Sequence, residues 1–258
     1  MDASELITPE MQRRLQEIED YLKISVALHR EDLLFKFYLQ QSPGVAGVNH
    51  YFASGAADAQ KAAETLKLLL RDVQQPKVLE FAAGFGRVSR HMPSRAPGLD
   101  LTVSDVHGAA VQFAKEILGL HAFKSEPLPN QAVIEHDRYD FIFTLSFFSH
   151  IPDSSFGDWL LLLYAALRPG GFLLFTTHGE ASMKKYEHLA NLYNPKAGFG
   201  YTVTSDQPDI EGENYGTMSV DFEYVVRQIR RSPARIVQFQ SAGWFGHQDE
   251  WIIQKPLG

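Results

Sequence analysis

Apolar positions recur at helical spacing near the start of the chain. Met11, Leu15, Ile18 and Leu22 fall three or four residues apart. Thr8 can cap, and Pro9 suits the first helical position, so the pattern predicts helix from Thr8 to about Gln41. Leu33, Leu34, Phe35, Phe37 and Tyr38 are too apolar to stand in water and are expected to pack on a larger body, cover a site or meet a second copy of the chain. Ser42-Pro43-Gly44 breaks the segment, and a second helix is expected over about Ala57–Asp72.

The period then changes. Short apolar runs at Lys77–Phe81, Leu101–Ser104, Tyr139–Leu145 and Phe172–Thr176, with a weaker one at Ala122–Lys124, read as strands. Helices are expected between them at about Val88–Met92, Ala109–Leu118 and Ser155–Leu167. Strands this apolar, separated by helices, imply a parallel sheet covered on both faces and doubly wound, with ligands at the carboxyl ends of the strands. After Gly179 a stretch rich in Tyr, Gly and polar residues runs to about Met218, followed by a helix at Val220–Arg231. Two final strands, Arg235–Gln240 and Glu250–Gln254, are joined through Gly243-Trp244-Phe245-Gly246 and read as an antiparallel hairpin at the sheet edge. The organisation expected is an N-terminal helical cap over residues 1–56 and a Rossmann-like domain over 57–258, with 180–218 inserted as a cap over the substrate.

Composition narrows the chemistry. The 258 residues carry a formal charge of -7, which disfavours nucleic acid and anionic membrane as partners. The one basic cluster, Arg227, Arg230, Arg231 and Arg235, reads as arginines gathered at a helix C-terminus. With no cysteine, disulfides, thiolate metal sites and cysteine nucleophiles are excluded. The start, Met1–Glu5, lacks the basic and apolar stretch of a signal peptide, and no apolar run is long enough to cross a bilayer, so a cytoplasmic protein is expected.

The most informative stretch is Val78-Leu79-Glu80-Phe81-Ala82-Ala83-Gly84-Phe85-Gly86-Arg87-Val88. A buried strand ends beside an acid, small residues alternate, and a helix follows. Small residues allow a sharp turn and close approach of backbone to ligand. A dinucleotide pyrophosphate loop would need glycine at the places held by Ala82, Gly84 and Arg87, and arginine at the third obstructs the helix–strand packing of that motif. A nicotinamide-dependent oxidoreductase is therefore the poorer reading. Asp105 ends the next strand, and a carboxylate there can accept both hydrogen bonds of a ribose diol or cap the helix that follows.

The loop resembles the first motif of class I S-adenosylmethionine-dependent methyltransferases, acidic-x-Gly-x-Gly-x-Gly, as Glu80-x-Ala82-x-Gly84-x-Gly86, with Ala82 in place of the first glycine. Asp140–Ser146 resembles the family's fourth strand, and Leu167-Arg168-Pro169-Gly170-Gly171 with Phe172–Phe175 its helix stop and fifth strand. The resemblance covers about residues 75–180 and implies a seven-stranded, mostly parallel Rossmann-like sheet, with S-adenosylmethionine as cofactor. It further implies that Glu80, Ala82, Gly84 and Gly86 contact the methionine and ribose portions. Asp105 would hold the ribose, Val106 and Ser125 would flank the adenine, and Leu145 and Ser146 would lie near the methionine end. Tyr51 either closes over the cofactor or is a core tyrosine.

Methyl transfer requires alignment of a nucleophile and exclusion of water, and an oxygen acceptor can need a base. His150 and His178 stand just past two strand ends and His247 stands between the two closing strands, which makes them the candidate bases. The same histidines with Asp249 lack the close spacing of a metal motif. Tyr186, Tyr193, Phe199, Tyr201 and Tyr215 are expected to line a pocket for a small-molecule acceptor, a sugar or secondary metabolite. A relative that binds the cofactor without catalysis is the remaining alternative.

Overall fold

The computed structural model describes residues 7–204, 207 and 210–257, so Met1–Glu5 lies outside the described residues. Seven strands form one sheet: β1 (Lys77–Phe81), β2 (Asp100–Asp105), β3 (His121–Lys124), β4 (Tyr139–Thr144), β5 (Leu167–Thr177), β8 (Arg235–Trp244) and β9 (Gln248–Gln254). Their order is β3-β2-β1-β4-β5-β9-β8. Pairs β2/β3, β1/β4 and β4/β5 are parallel, while β5/β9 and β8/β9 are antiparallel. This is the doubly wound, Rossmann-like sheet with an antiparallel edge hairpin that the alternation of runs predicts. Among the described residues no helix is long and apolar enough to cross a membrane.

The chain divides into two compact units, residues 1–76 with 83–124, and 77–82 with 125–258. In the first, helix α1 (Pro9–Leu22) starts at a Thr8 cap and buries Met11, Leu15 and Ile18, as the spacing predicts. It does not continue to Gln41. Lys23 turns left-handed and residues 24–31 run without helix before α2 (Leu33–Gln41), which Asp32 caps. The sequence Ile24-Ser25-Val26 alternates β-branched residues with a backbone-competing serine, a poor helix former that periodicity alone does not flag. Helix α3 also differs from expectation. It runs unbroken over Val45–Leu69, so residue 56 lies inside it. Ser54-Gly55 looks like punctuation in the sequence, yet a buried face of Val48, Tyr51, Phe52, Gly55, Ala59, Ala62, Ala63 and Leu66 carries the helix through. Gly55 is needed for close packing: a Cβ there would overlap the carbonyl oxygen of Arg87. After the glycine loop comes a short 3-10 turn, Ser89–His91, then α4 (Met92–Arg95), and after β2 comes α5 (Gly108–Glu116).

The core of the second unit is aromatic. Phe148 touches Phe147, Phe156 and Phe175, and Phe81 packs on Phe147 and Trp159. Helix α6 (Asp153–Ala166) ends without the expected Pro-Gly-Gly turn. β5 instead begins at Leu167 and carries Pro169-Gly170-Gly171, because Lys255 pairs with that stretch and its ammonium takes the carbonyls of Ala165 and Leu167 at 3.2 and 2.8 Å. Residues past β5 form α7 (Glu180–Lys185), α8 (Glu187–Leu192) and a separate antiparallel sheet of β6 (Phe199–Thr202) and β7 (Thr217–Val220). Helix α9 (Phe222–Ile229) follows, capped by Asp221.

The wedge of α3 on the loop generates a test. Gly55→Ala gains intrinsic helix propensity of about 1 kcal/mol, yet it is expected to destabilise the protein by about 1–3 kcal/mol because the methyl group has nowhere to go. Urea unfolding measures this; a stabilised variant would contradict the packing.

Candidate functional site

The turn after β1 alternates handedness. Ala82, Gly84 and Gly86 have φ of 59, 55 and 73°, and Ala83 and Phe85 between them do not. Glycine takes these values without strain at 84 and 86, while Ala82 carries a Cβ into the same region. At Gly86 a Cβ would also strike Leu118. At Gly84 nothing lies within 4 Å of where a Cβ would be, so that side of the loop is open to a ligand. An alternating backbone turns successive N–H groups toward one point, a concavity suited to an anion. Asp105 supplies it: Gly84 N–H donates to Asp105 Oδ2 at 2.7 Å, while the His107 amide and Nδ1 meet Oδ1, each at 2.9 Å. Ala83 N–H donates to the Ser104 carbonyl at 3.0 Å, joining the loop to the end of β2. Val106 is half-buried beside Asp105, and Ser125 is buried.

Behind the loop are two buried arginines. Arg87 pairs with Asp58 at 2.7 Å and donates to Ser54 Oγ at 3.1 Å, so the residue that spoils a pyrophosphate motif is consumed by α3. Arg90 donates to the carbonyls of Phe85 and Gly86. Tyr51 lies in the core beneath Arg90. It has no exposed surface, and its hydroxyl donates to Asp32 Oδ2 at 2.6 Å. Burial and the neighbouring Asp32 push its pKa well above the ordinary value. Tyr51 is thus a core tyrosine, which corrects its reading as a lid over the cofactor.

In the second unit, Glu80 lies buried at the end of β1 and half-buried Leu145 follows β4. Ser146 is left-handed, with φ 62°, and its amide donates to Thr176 Oγ1 at 2.8 Å. The Gln248 amide nitrogen donates to Ser146 Oγ at 2.9 Å and to His178 Nε2 at 3.2 Å. His178 Nδ1 lies 3.2 Å from the Met218 carbonyl, which can only accept, so Nδ1 carries the proton and Nε2 receives Gln248. His150 Nδ1 likewise donates to the Gly216 carbonyl at 2.6 Å, and its ring stacks on Tyr215. Gly216 N–H returns a bond to the His150 carbonyl and Val220 N–H one to the His178 carbonyl, so both histidines grip β7. The His178 ring lies 6.2 Å from that of His150 and 6.0 Å from that of His247, which meets Ser182. Among the described residues no three His, Cys, Asp or Glu gather to hold a metal.

Residues 53–207 match the sequence profile of the methyltransferase domain, more than half of the chain. The chain belongs to the methyltransferase domain family. A malonyl-[acyl-carrier protein] O-methyltransferase of Ilyobacter polytropus is 24% identical over 214 residues, covering 76% of each chain. One from Calditerrivibrio nitroreducens is 30% identical over 79 residues, 31% of this chain and 29% of that one. Among solved structures, an S-adenosylmethionine-dependent methyltransferase from Clostridium acetobutylicum aligns with TM-score 0.54 at 12% identity, over 78% of this chain and 92% of that one. A Burkholderia thailandensis 1,6-didemethyltoxoflavin-N1-methyltransferase, solved with 1,6-didemethyltoxoflavin and S-adenosylhomocysteine, aligns with TM-score 0.54 at 14% identity, over 87% and 88%. At these identities the structural likeness is one of fold.

This methyltransferase is a class I enzyme that uses S-adenosylmethionine, and its loop fits that cofactor. The open face at Gly84 admits a ligand against the backbone, and Asp105 Oδ2 keeps a lone pair for a ribose hydroxyl after its bond from Gly84, while His107 occupies Oδ1. Gln248, Arg90 and the Arg87–Asp58 pair escape sequence reasoning, because no spacing rule marks residues that meet only through the fold.

Two histidines of the methyltransferase set its acid response. Burial, then repulsion from His150, lowers His178 to about 3. Burial, then Arg90, lowers His91 to about 4. Both stay neutral in the folded protein where an unfolded histidine takes a proton near pH 6.5. The unfolded state therefore binds more protons as pH falls from about 6.5 toward these values, and stability drops over that window. The thermal midpoint is expected to fall on acidification from pH 7 to 4.5 and to fall less steeply in His178→Gln; identical slopes would contradict the buried neutral ring.

Proposed function

We propose that this methyltransferase methylates an oxygen of a small-molecule acceptor, a hydroxyl of a sugar or secondary metabolite, at the carboxyl ends of β4 and β5. The observation that carries the reading is the histidine cluster there, with the His178 ring 6.2 Å from that of His150 and 6.0 Å from that of His247. His150 holds its Nδ1 proton on the Gly216 carbonyl, which leaves Nε2 as the basic nitrogen. His178 is a poorer base than its position in sequence indicates, since Nε2 already accepts from Gln248 and burial keeps it from taking a proton. We assign His150 the role of base, His178 that of holding β7, and His247 that of lining the pocket. In the same reading Glu80, Ala82, Gly84, Gly86, Asp105, Val106 and Ser125 bind the cofactor, Leu145 and Ser146 approach its methionine end, and residues 180–218 cover the acceptor.

The cofactor supplies a methyl carbon on a positively charged sulfur. His150 Nε2 would accept the hydroxyl proton as the acceptor oxygen bonds to that carbon and the carbon–sulfur bond breaks, its electron pair staying on sulfur in S-adenosylhomocysteine. The cap excludes water that would compete for it. Tyr186 and Tyr215, packed on His247 and His150, give the pocket aromatic walls. Methylation at oxygen agrees with the names of the curated relatives. Those names also favour a second reading, a carboxylate oxygen carried on a protein-bound acyl group, which needs no base.

Release of S-adenosylhomocysteine against a panel of hydroxyl and carboxylate acceptors tests both. For a hydroxyl acceptor His150→Ala is expected to lower turnover about 100-fold or more with cofactor affinity unchanged. Wild-type turnover in that variant would remove the base, and turnover with carboxylates alone would favour the second reading. No release with any acceptor would leave a cofactor-binding protein without catalysis.

A further inference from the structure

Arg90 is a buried cation held by backbone oxygens, not by a carboxylate. Its guanidinium instead donates to four backbone carbonyls. Nε reaches Gly86 at 2.9 Å and Nη2 reaches Phe85 at 2.9 Å, while Nη1 reaches Ser25 at 3.1 Å and Ala27 at 2.9 Å. Its charge lies over the rings of Tyr51 and Phe52, 5.8 and 5.3 Å from their centroids, which offsets part of the cost of burial. Two of the carbonyls belong to the glycine loop and two to the non-helical stretch between α1 and α2. A planar fork with five donors can tie two backbone segments together; an ammonium cannot reach four such acceptors.

The same stretch touches the loop a second time. His29 stacks on Phe85 with ring centroids 4.6 Å apart and planes 10° from parallel, and meets Phe113 edge-on at 5.8 Å. Ala27 packs against the cluster of Phe85, Ala110 and Phe113. The Glu31 amide donates to His29 Nδ1 at 3.2 Å, which fixes the ring and leaves its proton on Nε2. Phe85 is the residue between Gly84 and Gly86, so this strap is seated on the part of the loop that the cofactor must approach.

We propose that the strap Ser25–His29 is a working part of the cofactor site and that Arg90 is a positioning residue for cofactor binding, holding strap and glycine loop in one arrangement. The inference rests on the reading that the loop holds S-adenosylmethionine. Bound cofactor would then stabilise the strap, and loosening the strap would weaken the cofactor without touching the acceptor.

The test is calorimetric titration of the full chain with S-adenosylhomocysteine, paired with backbone hydrogen exchange over residues 24–31. Wild type must bind, and failure to do so would defeat the cofactor reading itself. With binding in hand, S-adenosylhomocysteine is expected to slow exchange in the strap. Arg90→Met is expected to weaken binding about 100-fold. Arg90→Lys, which keeps the charge but not the fork, is expected to weaken it about tenfold, and His29→Ala severalfold, each with the acceptor KM unchanged. His29→Ala leaves the buried hub intact and decides the matter if the arginine variants do not fold. Ligand-independent strap exchange, or affinities within about twofold of wild type in folded variants, would overturn the proposal.

Discussion

One hydrogen bond organises the glycine-loop half of this protein: the Gly84 amide on the Asp105 carboxylate, at 2.7 Å. The loop presents that amide with positions 82, 84 and 86 left-handed, a conformation that costs glycine nothing at 84 and 86. A carboxylate at the end of the second strand then fills the concavity the alternation creates. Everything behind the loop conforms to it. Gly55 lets α3 press against the Arg87 carbonyl, Asp58 absorbs the Arg87 charge, and Arg90 gathers the carbonyls that point away from the open face. Ala82 is the least comfortable member, a residue with a Cβ in a conformation that costs about 1 kcal/mol.

The second unit solves a different problem, that of keeping polar groups in a buried place. The strand ends of β4, β5 and β9 bring Ser146, His178 and Gln248 together, and each is satisfied by another or by backbone. Buried polar groups that bond one another in this way fix tautomers and rotamers, which is what a site needs to hold an acceptor in one orientation. The two-stranded β6–β7 sheet and the residue before β7 are attached through main-chain bonds to His150 and His178, so this small sheet and the histidines are tied together.

Much of the fold was legible in the sequence because apolar parallel strands separated by amphipathic helices admit few arrangements. The small-x-small-x-small turn and Asp105 were legible for the same reason: each residue type answers a backbone or hydrogen-bonding demand that can be stated beforehand. The misses have physical causes. The Thr8–Gln41 segment is split because strand-like Ile24 and Val26 lie within a helical period, and α3 starts at Val45, ahead of the expected Ala57, because its buried face continues through Gly55. Tyr51 could not be placed from sequence, since its partner Asp32 meets it only through tertiary packing. Gln248 sits in a turn-like Gly-His-Gln-Asp run that carries no period at all.

The most direct measurement compares S-adenosylhomocysteine binding to the wild-type chain and to Asp105→Ala. Loss of the paired acceptor for the ribose, with the loop amide freed of its anion, predicts affinity lower by about 10- to 100-fold, or 1–3 kcal/mol. Equal affinity in the two proteins would mean that the carboxylate serves only the loop amide and His107, and the adenosyl-binding account would be wrong.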